Sequence, residues 1–399
     1  MPKVGYSFWG FLGDYKMDNK KHLVSTPDGN AFYSWAIIKG LQEAGYDVVQ
    51  LMPDRDKPAY DSLGSEDFKA FAGSDREKAY LRTSKVDYLD DVSKMDMNDV
   101  IGKWGAWDEK LPEAPEFILH EWRMDIKGRN DYDSKERLGA SWQPDVFIQN
   151  CVVSYCIENE VPLFIFDLDY KLSYSKAKRL KELGLNFCVV ELGDRWEAIE
   201  DIKSVKVAIP FSKEAIEELP VISDENWIED SLVYVGNRYE RDWCIDQYWP
   251  DGLADTKVYG NWLEGGRDSA ETWPNINFGP RLQTADMFKT YSKAETTILF
   301  AKASYCKYKF MTARVLEAVT YSCVPLFIAD YGEDLIKNYA GKYASLLTVR
   351  NKADVVDKCF VFNNLELREK VIKYLRLRLG RMHDYHKFIY ELEYQKRSM

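Results

Sequence analysis

The chain has 399 residues, with 54 Lys and Arg against 65 Asp and Glu, a formal net charge of −11, and 46% hydrophobic and 14% aromatic residues. At roughly 150 residues per domain this length favours two domains, each able to bury a core, and the composition excludes disorder over most of the chain. The acidic total excludes the broad basic footprint of a protein that coats duplexes without regard to sequence, while leaving room for a local basic groove.

In chain order, a strand is predicted near 3–8. A Gly-containing loop, a helix over Ala31–Glu43 and a strand near 47–52 follow. Residues 60–112, rich in Asp, Lys, Ser and Gly, read as an insertion with one or two helices. Residues 117–119 form a strand and 146–157 a helix. The apolar runs 162–166 and 186–192 have the length and continuity of parallel strands buried on both faces. The pattern then restarts. Strands at 231–235 and 257–259 precede a helix over 283–294, a strand at 297–301, a helix over 312–321 and a strand at 324–329. A last helix, about 366–391, is long enough to cross back onto the first half.

Two successive arrays of alternating strands and helices predict an α/β chain with two Rossmann-like, doubly wound parallel sheets facing a central cleft. The expected domains are 1–208, carrying the insertion, and 209–362. The segment 363–399 is expected to pack on the first. No apolar run reaches the length of a membrane span, and the N-terminus lacks a signal-peptide core. Seven cysteines lie scattered without C-x-x-C spacing, beside only four histidines. They read as reduced thiols of a cytoplasmic protein and not as a zinc site.

Ligands of open α/β sheets bind beyond the carboxyl ends of the strands. Polar residues just after strands are therefore the candidates. Arg314-Val315-Leu316-Glu317 opens the helix before the strand at 324–329. Its Arg and Glu share one face, suited to a diphosphate and to ribose hydroxyls; the alternative is a solvated ion pair. Val235-Gly236-Asn237-Arg238-Tyr239-Glu240-Arg241 places two arginines after a strand-end glycine, without the full dinucleotide fingerprint; the alternative is a capped helix start. Tyr259-Gly260-Asn261 is a second strand-end turn.

In the first half, Phe166-Asp167-Leu168-Asp169-Tyr170-Lys171-Leu172-Ser173 puts two carboxylates at a strand end. Either one is a general base, or the pair holds a metal, or they cap a helix and a turn. The loop with Asp28 and Asn30 lies where a sugar or acceptor would meet this half, or serves as a helix cap. Lys171, Lys176, Lys178, Arg179 and Lys181, with Lys302, Lys307 and Lys309, either rim a polyanion groove or form solvated faces.

These residues resemble the DNA β-glucosyltransferase family of T-even phages, most closely over 231–330. Arg314-Val315-Leu316-Glu317 resembles its Arg-Val-Trp-Glu motif, which implies that Arg314 contacts the diphosphate and Glu317 the ribose of a UDP-sugar. Tyr259-Gly260-Asn261 resembles its Phe-Gly-Asn turn. Arg238 and Arg241 resemble its two diphosphate arginines, at a spacing one residue shorter, and Leu282 falls near its uracil-contacting residue. Asp169-Tyr170-Lys171-Leu172-Ser173-Tyr174-Ser175 resembles its Asp-Ile-Arg-Leu-Pro-Phe-Ser, which points to Asp169 as the base and places Lys171 and Ser173 near the substrate.

The resemblance implies a GT-B glycosyltransferase, monomeric, acting in the host-cell cytoplasm. It would move glucose or a pentose from a UDP-sugar to hydroxymethylcytosine in double-stranded DNA, with inversion. Mg or Mn would serve as a non-essential activator. The net charge keeps open the same fold acting on a glycan or small molecule. A non-catalytic nucleotide-sugar or nucleic-acid binding module and a metal-dependent nucleotide transferase also remain.

Overall fold

A computed structural model describes residues 1–7, 31–51, 78–79, 114–122, 152–153, 155–168, 170–197, 199–211, 228–263, 269–282 and 284–399. The described residues form two units. One comprises those up to Pro210 together with Tyr385–Met399, and the other runs over Phe211–Asp384.

The first unit is built on seven strands: β1 (Lys3–Ser7), β2 (Asp47–Leu51), β3 (Lys78–Ala79), β4 (Phe117–Glu121), β5 (Leu163–Phe166), β6 (Phe187–Glu191) and β7 (Ser204–Lys206). They lie in the order β3-β2-β1-β4-β5-β6-β7, and every pairing is parallel. Every residue of β4, β5 and β6 is buried. Such continuous burial requires cover on both faces, which is why these strands read as unbroken apolar runs. Phe117 and Phe164 meet edge to face at 5.3 Å between ring centroids.

The second unit has six strands: β8 (Asp230–Val235), β9 (Thr256–Tyr259), β10 (Phe278–Gly279), β11 (Ala294–Leu299), β12 (Val324–Ile328) and β13 (Thr348–Val349). Their order is β10-β9-β8-β11-β12-β13, again all parallel. Each sheet thus runs outward from its first strand in both directions, the doubly wound arrangement that leaves a crevice where the order reverses.

Within each unit the strands and helices read from the sequence sit within a few residues of their observed bounds. The helix expected over 146–157 is described only at 152–153 and 155–157, which are helical. The insertion at 60–112 lies outside the described residues apart from β3. β7, β10 and β13 are two or three residues long, too short to show a period of two.

One expectation changes. The single helix over 366–391 is two helices, Leu365–Met382 and Tyr385–Lys396. The first buries Val371, Ile372, Leu375 and Leu379 in the second unit. Its Arg376 donates from Nε to Val319 O at 3.0 Å and from Nη2 to Thr320 O at 2.6 Å, closing the C-terminus of the helix Arg314–Thr320. The second buries Phe388, Ile389 and Leu392 in the first unit. It packs on the helix Ala31–Glu43, where a Cβ on Gly40 would come within 2.8 Å of Ile389 and Tyr385. The two helices thus fill different cores. The chain breaks at His383, whose carbonyl accepts from Phe211 N at 2.9 Å.

Among the described residues no helix is long and apolar enough to cross a membrane. The six described cysteines are all free, and five of them are buried.

Leu392 is fully buried. Leu392→Ala is expected to cost about 2–5 kcal/mol, read as a shift in the urea midpoint of the first unit. Tyr394→Ala, 58% exposed on the same helix, is expected to stay within about 0.5 kcal/mol of wild type.

Candidate functional site

The order of the second sheet reverses between β8 and β11, and the loops that leave their carboxyl ends carry most of the candidate residues. Gly236 follows β8 directly, and its N–H donates to Tyr259 O at 2.9 Å. A Cβ on Gly236 would overlap the Tyr234 hydroxyl and come within 2.8 Å of Arg314 Nη2. Gly260 has φ +142°, and a Cβ there would overlap the carbonyl oxygen of Gly236. Both glycines are needed for close approach: one to admit a guanidinium, the other to let two backbone turns touch.

The two turns are also tied by side chains. Arg238 N donates to Asn261 Oδ1 at 2.9 Å, and Asn261 N donates to Asn237 Oδ1 at 3.3 Å. Trp262 Nε1 donates to Gly236 O at 2.7 Å.

Arg314 enters this junction from the first residue of the helix Arg314–Thr320. Its Nε donates to Val235 O at 2.5 Å, and its guanidinium lies 6.0 Å from the Tyr234 ring centroid. Among the described residues it forms no ion pair. Burial acts to lower its pKa, but the Tyr234 and Glu317 groups beside it outweigh that and raise it, so the guanidinium stays charged. Glu317, one turn along, is 8% exposed. Burial raises its pKa against the pull of Arg314. Glu317 Oε2 and the hydroxyls of Tyr234 and Tyr291 have no hydrogen-bond partner among the described residues. Buried polar atoms of this kind are costly unless a bound group satisfies them. The cluster gathers a cation, a carboxylate and two buried phenols at one place.

Arg238 and Arg241 differ from Arg314 in being engaged by the protein. Arg238 donates from Nε and Nη2 to the two oxygens of Asp242 at 2.8 and 2.6 Å, and from Nη1 to Ser269 Oγ at 3.0 Å. The hydrogen bond it donates to Asp242 raises its pKa. Arg241, 4% exposed, donates from Nη1 to the carbonyls of Asn237 and Tyr239, both at 3.1 Å, and its Nε has no partner among the described residues. Leu282 is partly buried and packs with Tyr259 and Met287 against the cluster of Val233, Val235 and Tyr291. The structure therefore brings Gly236, Arg238, Arg241, Gly260, Asn261, Arg314 and Glu317 to one end of one sheet.

In the first unit, Asp28, Asn30 and Asp169 lie outside the described residues. Asp167, at the end of β5, is wholly buried. Its Oδ1 accepts from Lys171 N at 2.8 Å and Leu172 N at 3.2 Å, and its Oδ2 accepts from Trp196 Nε1 at 2.9 Å. Arg195 Nη1 lies 3.5 Å from Oδ2 and donates to Tyr170 O at 2.7 Å. Burial pushes the Asp167 carboxyl up to about 6, opposed first by the Trp196 hydrogen bond. Both of its oxygens thus hold the loop together. This is the turn-carboxylate reading for Asp167. Glu191, at the end of β6, accepts the backbone N–H groups of Arg195, Trp196 and Glu197.

Lys171 contributes its backbone N–H to Asp167, while Ser173 Oγ accepts from Lys176 N at 3.2 Å and caps the helix Tyr174–Glu182. Of the basic residues beyond, Lys181 donates to Asp201 O and Arg179 lies 3.7 Å from Glu182. Lys178 and Lys181 are exposed, whereas Lys176 is buried, so only part of this cluster is a solvated helix face.

Several participants were missing from the sequence reading: Asp242, Ser269, Tyr234 and Tyr291 in the second unit, and Glu191, Arg195 and Trp196 in the first. The i,i+4 spacing of Arg238 and Asp242 was a usable signal. The two phenols gave none, because a Tyr in a buried strand or helix reads as core.

No protein-family model and no curated protein matches the chain. Solved structures do. T4 phage β-glucosyltransferase bound to UDP and Mn2+ aligns over 100% of both chains with a TM-score of 0.57 at 12% identity. The DNA-modifying enzyme β-glucosyltransferase, determined in the presence and absence of uridine diphosphoglucose, aligns over 98% of both at 0.55 and 12%. An α-glucosyltransferase in complex with UDP-glucose and DNA containing an abasic site covers 100% of both at 0.50 and 11%. At these identities the likeness shows the fold: an α/β chain of the GT-B type, remotely similar to the phage enzyme.

Asp167 itself favours the fold at low pH, because its folded pKa is raised, and that contribution is lost as pH rises towards 6. The Trp196 bond has the opposite sense, since it favours the charged carboxylate. Trp196→Phe is expected to cost about 1–3 kcal/mol at pH 8. The cost should shrink at pH 5, where the carboxyl is largely protonated, as urea unfolding at the two pH values would show.

Proposed function

We propose that this chain is a glycosyltransferase that moves glucose or a pentose from a UDP-sugar to the hydroxyl of 5-hydroxymethylcytosine in double-stranded DNA, with inversion. The observation that carries the reading is the pair Arg314 and Glu317. A charged guanidinium anchored on Val235 O stands one turn from a buried carboxylate with one oxygen unpartnered among the described residues, at the carboxyl edge where ligands of such sheets bind. UDP and UDP-glucose in the structural neighbours support the donor class.

In this reading Arg314 holds the diphosphate and Glu317 the ribose hydroxyls. Gly236, Gly260 and Asn261 shape the backbone cradle, and Leu282 lies against the uracil. Arg238 joins at the diphosphate by exchanging its carboxylate partner for phosphate. Arg241, turned inward, holds the turn that carries Arg238 and adds positive potential. Preorganised cations stabilise the charge that builds on the departing UDP without reorganising during the reaction. A Mg or Mn ion carried on the diphosphate would neutralise part of that charge, as a non-essential activator.

On the acceptor side Asp169 removes the proton from the hydroxymethyl group, and its oxygen attacks the anomeric carbon from the face opposite UDP. Asp28, Asn30, Lys171 and Ser173 line the sugar and acceptor. A base within a duplex must first leave the stack.

The net charge of −11 favours a second reading, in which the acceptor is a glycan or a small molecule. Incubation with several nucleotide sugars and hydroxymethylated DNA, followed by digestion and mass measurement of the nucleosides, separates the two. A gain of one hexose or pentose on hydroxymethylcytosine supports the DNA reading. Transfer to a glycan alone overturns it. Absence of both transfer and donor hydrolysis leaves a binding module.

Arg314→Ala is expected to weaken UDP binding by about tenfold or more, the worth of a hydrogen bond to a charged group, in calorimetric titration. Asp169→Asn is expected to lower kcat by about 10²–10⁴ with donor affinity unchanged. Unaltered transfer by this variant would remove Asp169 from the mechanism.

A further inference from the structure

Of the three arginines, Arg238 is the one whose present partner competes with a phosphate. Its Nε and Nη2 make two parallel bonds to Asp242, the geometry by which guanidinium takes either a carboxylate or a phosphate. The other restraints on Arg238 are of a different kind. Nη1 donates to Ser269 Oγ, and Ser269 is wholly buried and itself donates to Trp262 O. The guanidinium lies 5.0 Å from the Trp273 ring centroid. These contacts set the position and plane of Arg238 without touching the Nε and Nη2 edge. Asp242 is less constrained: its side chain is 46% exposed, against 13% for Arg238, at the first residue of the helix Asp242–Tyr248.

We infer that Asp242 is a resident counter-ion of the donor site, a carboxylate that occupies the phosphate-binding edge of Arg238 and weakens UDP binding. The inference rests on the nucleotide-sugar reading and deepens it. Its physical basis is an exchange. A diphosphate that reaches Arg238 displaces Asp242, which turns to water at little desolvation cost because it is already half exposed. The carboxylate then stays close enough to repel the diphosphate. Repulsion is larger for UDP than for the UDP-sugar, since the terminal phosphate of UDP ionises once more near neutral pH. Asp242 therefore disfavours the product more than the donor and speeds release after transfer.

If Asp242 served only to orient Arg238, its removal would weaken binding, so the sign of the change decides the matter. Asp242→Asn keeps the shape of the side chain and removes the charge. The expected result is UDP affinity tightened by about tenfold, UDP-glucose affinity tightened less, and uridine, which has no phosphate, unchanged within about twofold. Asp242→Glu, which keeps the charge, should bind UDP as wild type does. The gain should vanish in the Arg238→Gln, Asp242→Asn double variant, which tests that the effect passes through the guanidinium. Unchanged or weaker UDP binding by Asp242→Asn, or an equal gain for uridine, overturns the counter-ion role and leaves the donor site standing. Failure of the wild type and every variant to bind UDP or uridine overturns both.

Discussion

The second unit is organised around one bond, from Arg314 Nε to the carbonyl oxygen of Val235. It fixes a helix to the end of the sheet's first strand and determines where positive charge sits. The bond can form only because Gly236 has no side chain to block the guanidinium. The strand-end turn keeps its shape only because Gly260 lets its neighbour's carbonyl come close. Three residues with no chemistry of their own, Val235, Gly236 and Gly260, thus determine the position of the one that has it. Arg376 closes the far end of the same seven-residue helix. Both ends of the element that carries Arg314 and Glu317 are therefore held by guanidinium-to-carbonyl bonds, which suits a helix too short to be stable by itself.

The first unit reaches the same end with the opposite charge. Asp167 and Glu191 are wholly buried carboxylates at the ends of adjacent strands, and each gathers backbone N–H groups from the loop that follows it. Arg195 links the two loops, donating to Tyr170 O while pairing with Asp167. Burying such a charge is costly unless hydrogen bonds meet it, and here they do so from several directions. The local outcome is a loop whose backbone is pinned at Tyr170, Lys171 and Leu172, with Tyr170 at φ +56°.

Much of this was legible in the residues. Parallel strands buried on both faces leave unbroken apolar runs, so β5, β6 and β12 were read within a residue or two of their ends. Glycines at strand ends marked the turns. What escaped notice has physical reasons. The break at His383 separates two helices that fill different cores, which no local pattern reveals because each half remains a good helix. Tyr234 and Tyr291 look like core in sequence and are core by burial; only their unsatisfied hydroxyls next to Glu317 give them another aspect. Asp167 and Asp169 could not be told apart by spacing. The many donors around Asp167 exist only once β6 and its loop are folded beside it.

The three arginines show why net charge is a poor guide to what such a chain binds. Arg238 is paired with a carboxylate and so adds little to a field felt at a distance, while Arg241 is buried against two backbone carbonyls, which hold its guanidinium without cancelling its charge. Arg314 is held by a single carbonyl and forms no ion pair among the described residues, so its charge remains available at short range. A site built this way does not steer a polyanion from solution, which long-range potential would do. In the proposed reading it would recognise phosphate by contact, after the ligand has entered. An acidic net charge and the proposed diphosphate site are therefore compatible in one chain. In that reading the charge sum would bear on the acceptor, whose approach depends on the surface, and hardly at all on the donor.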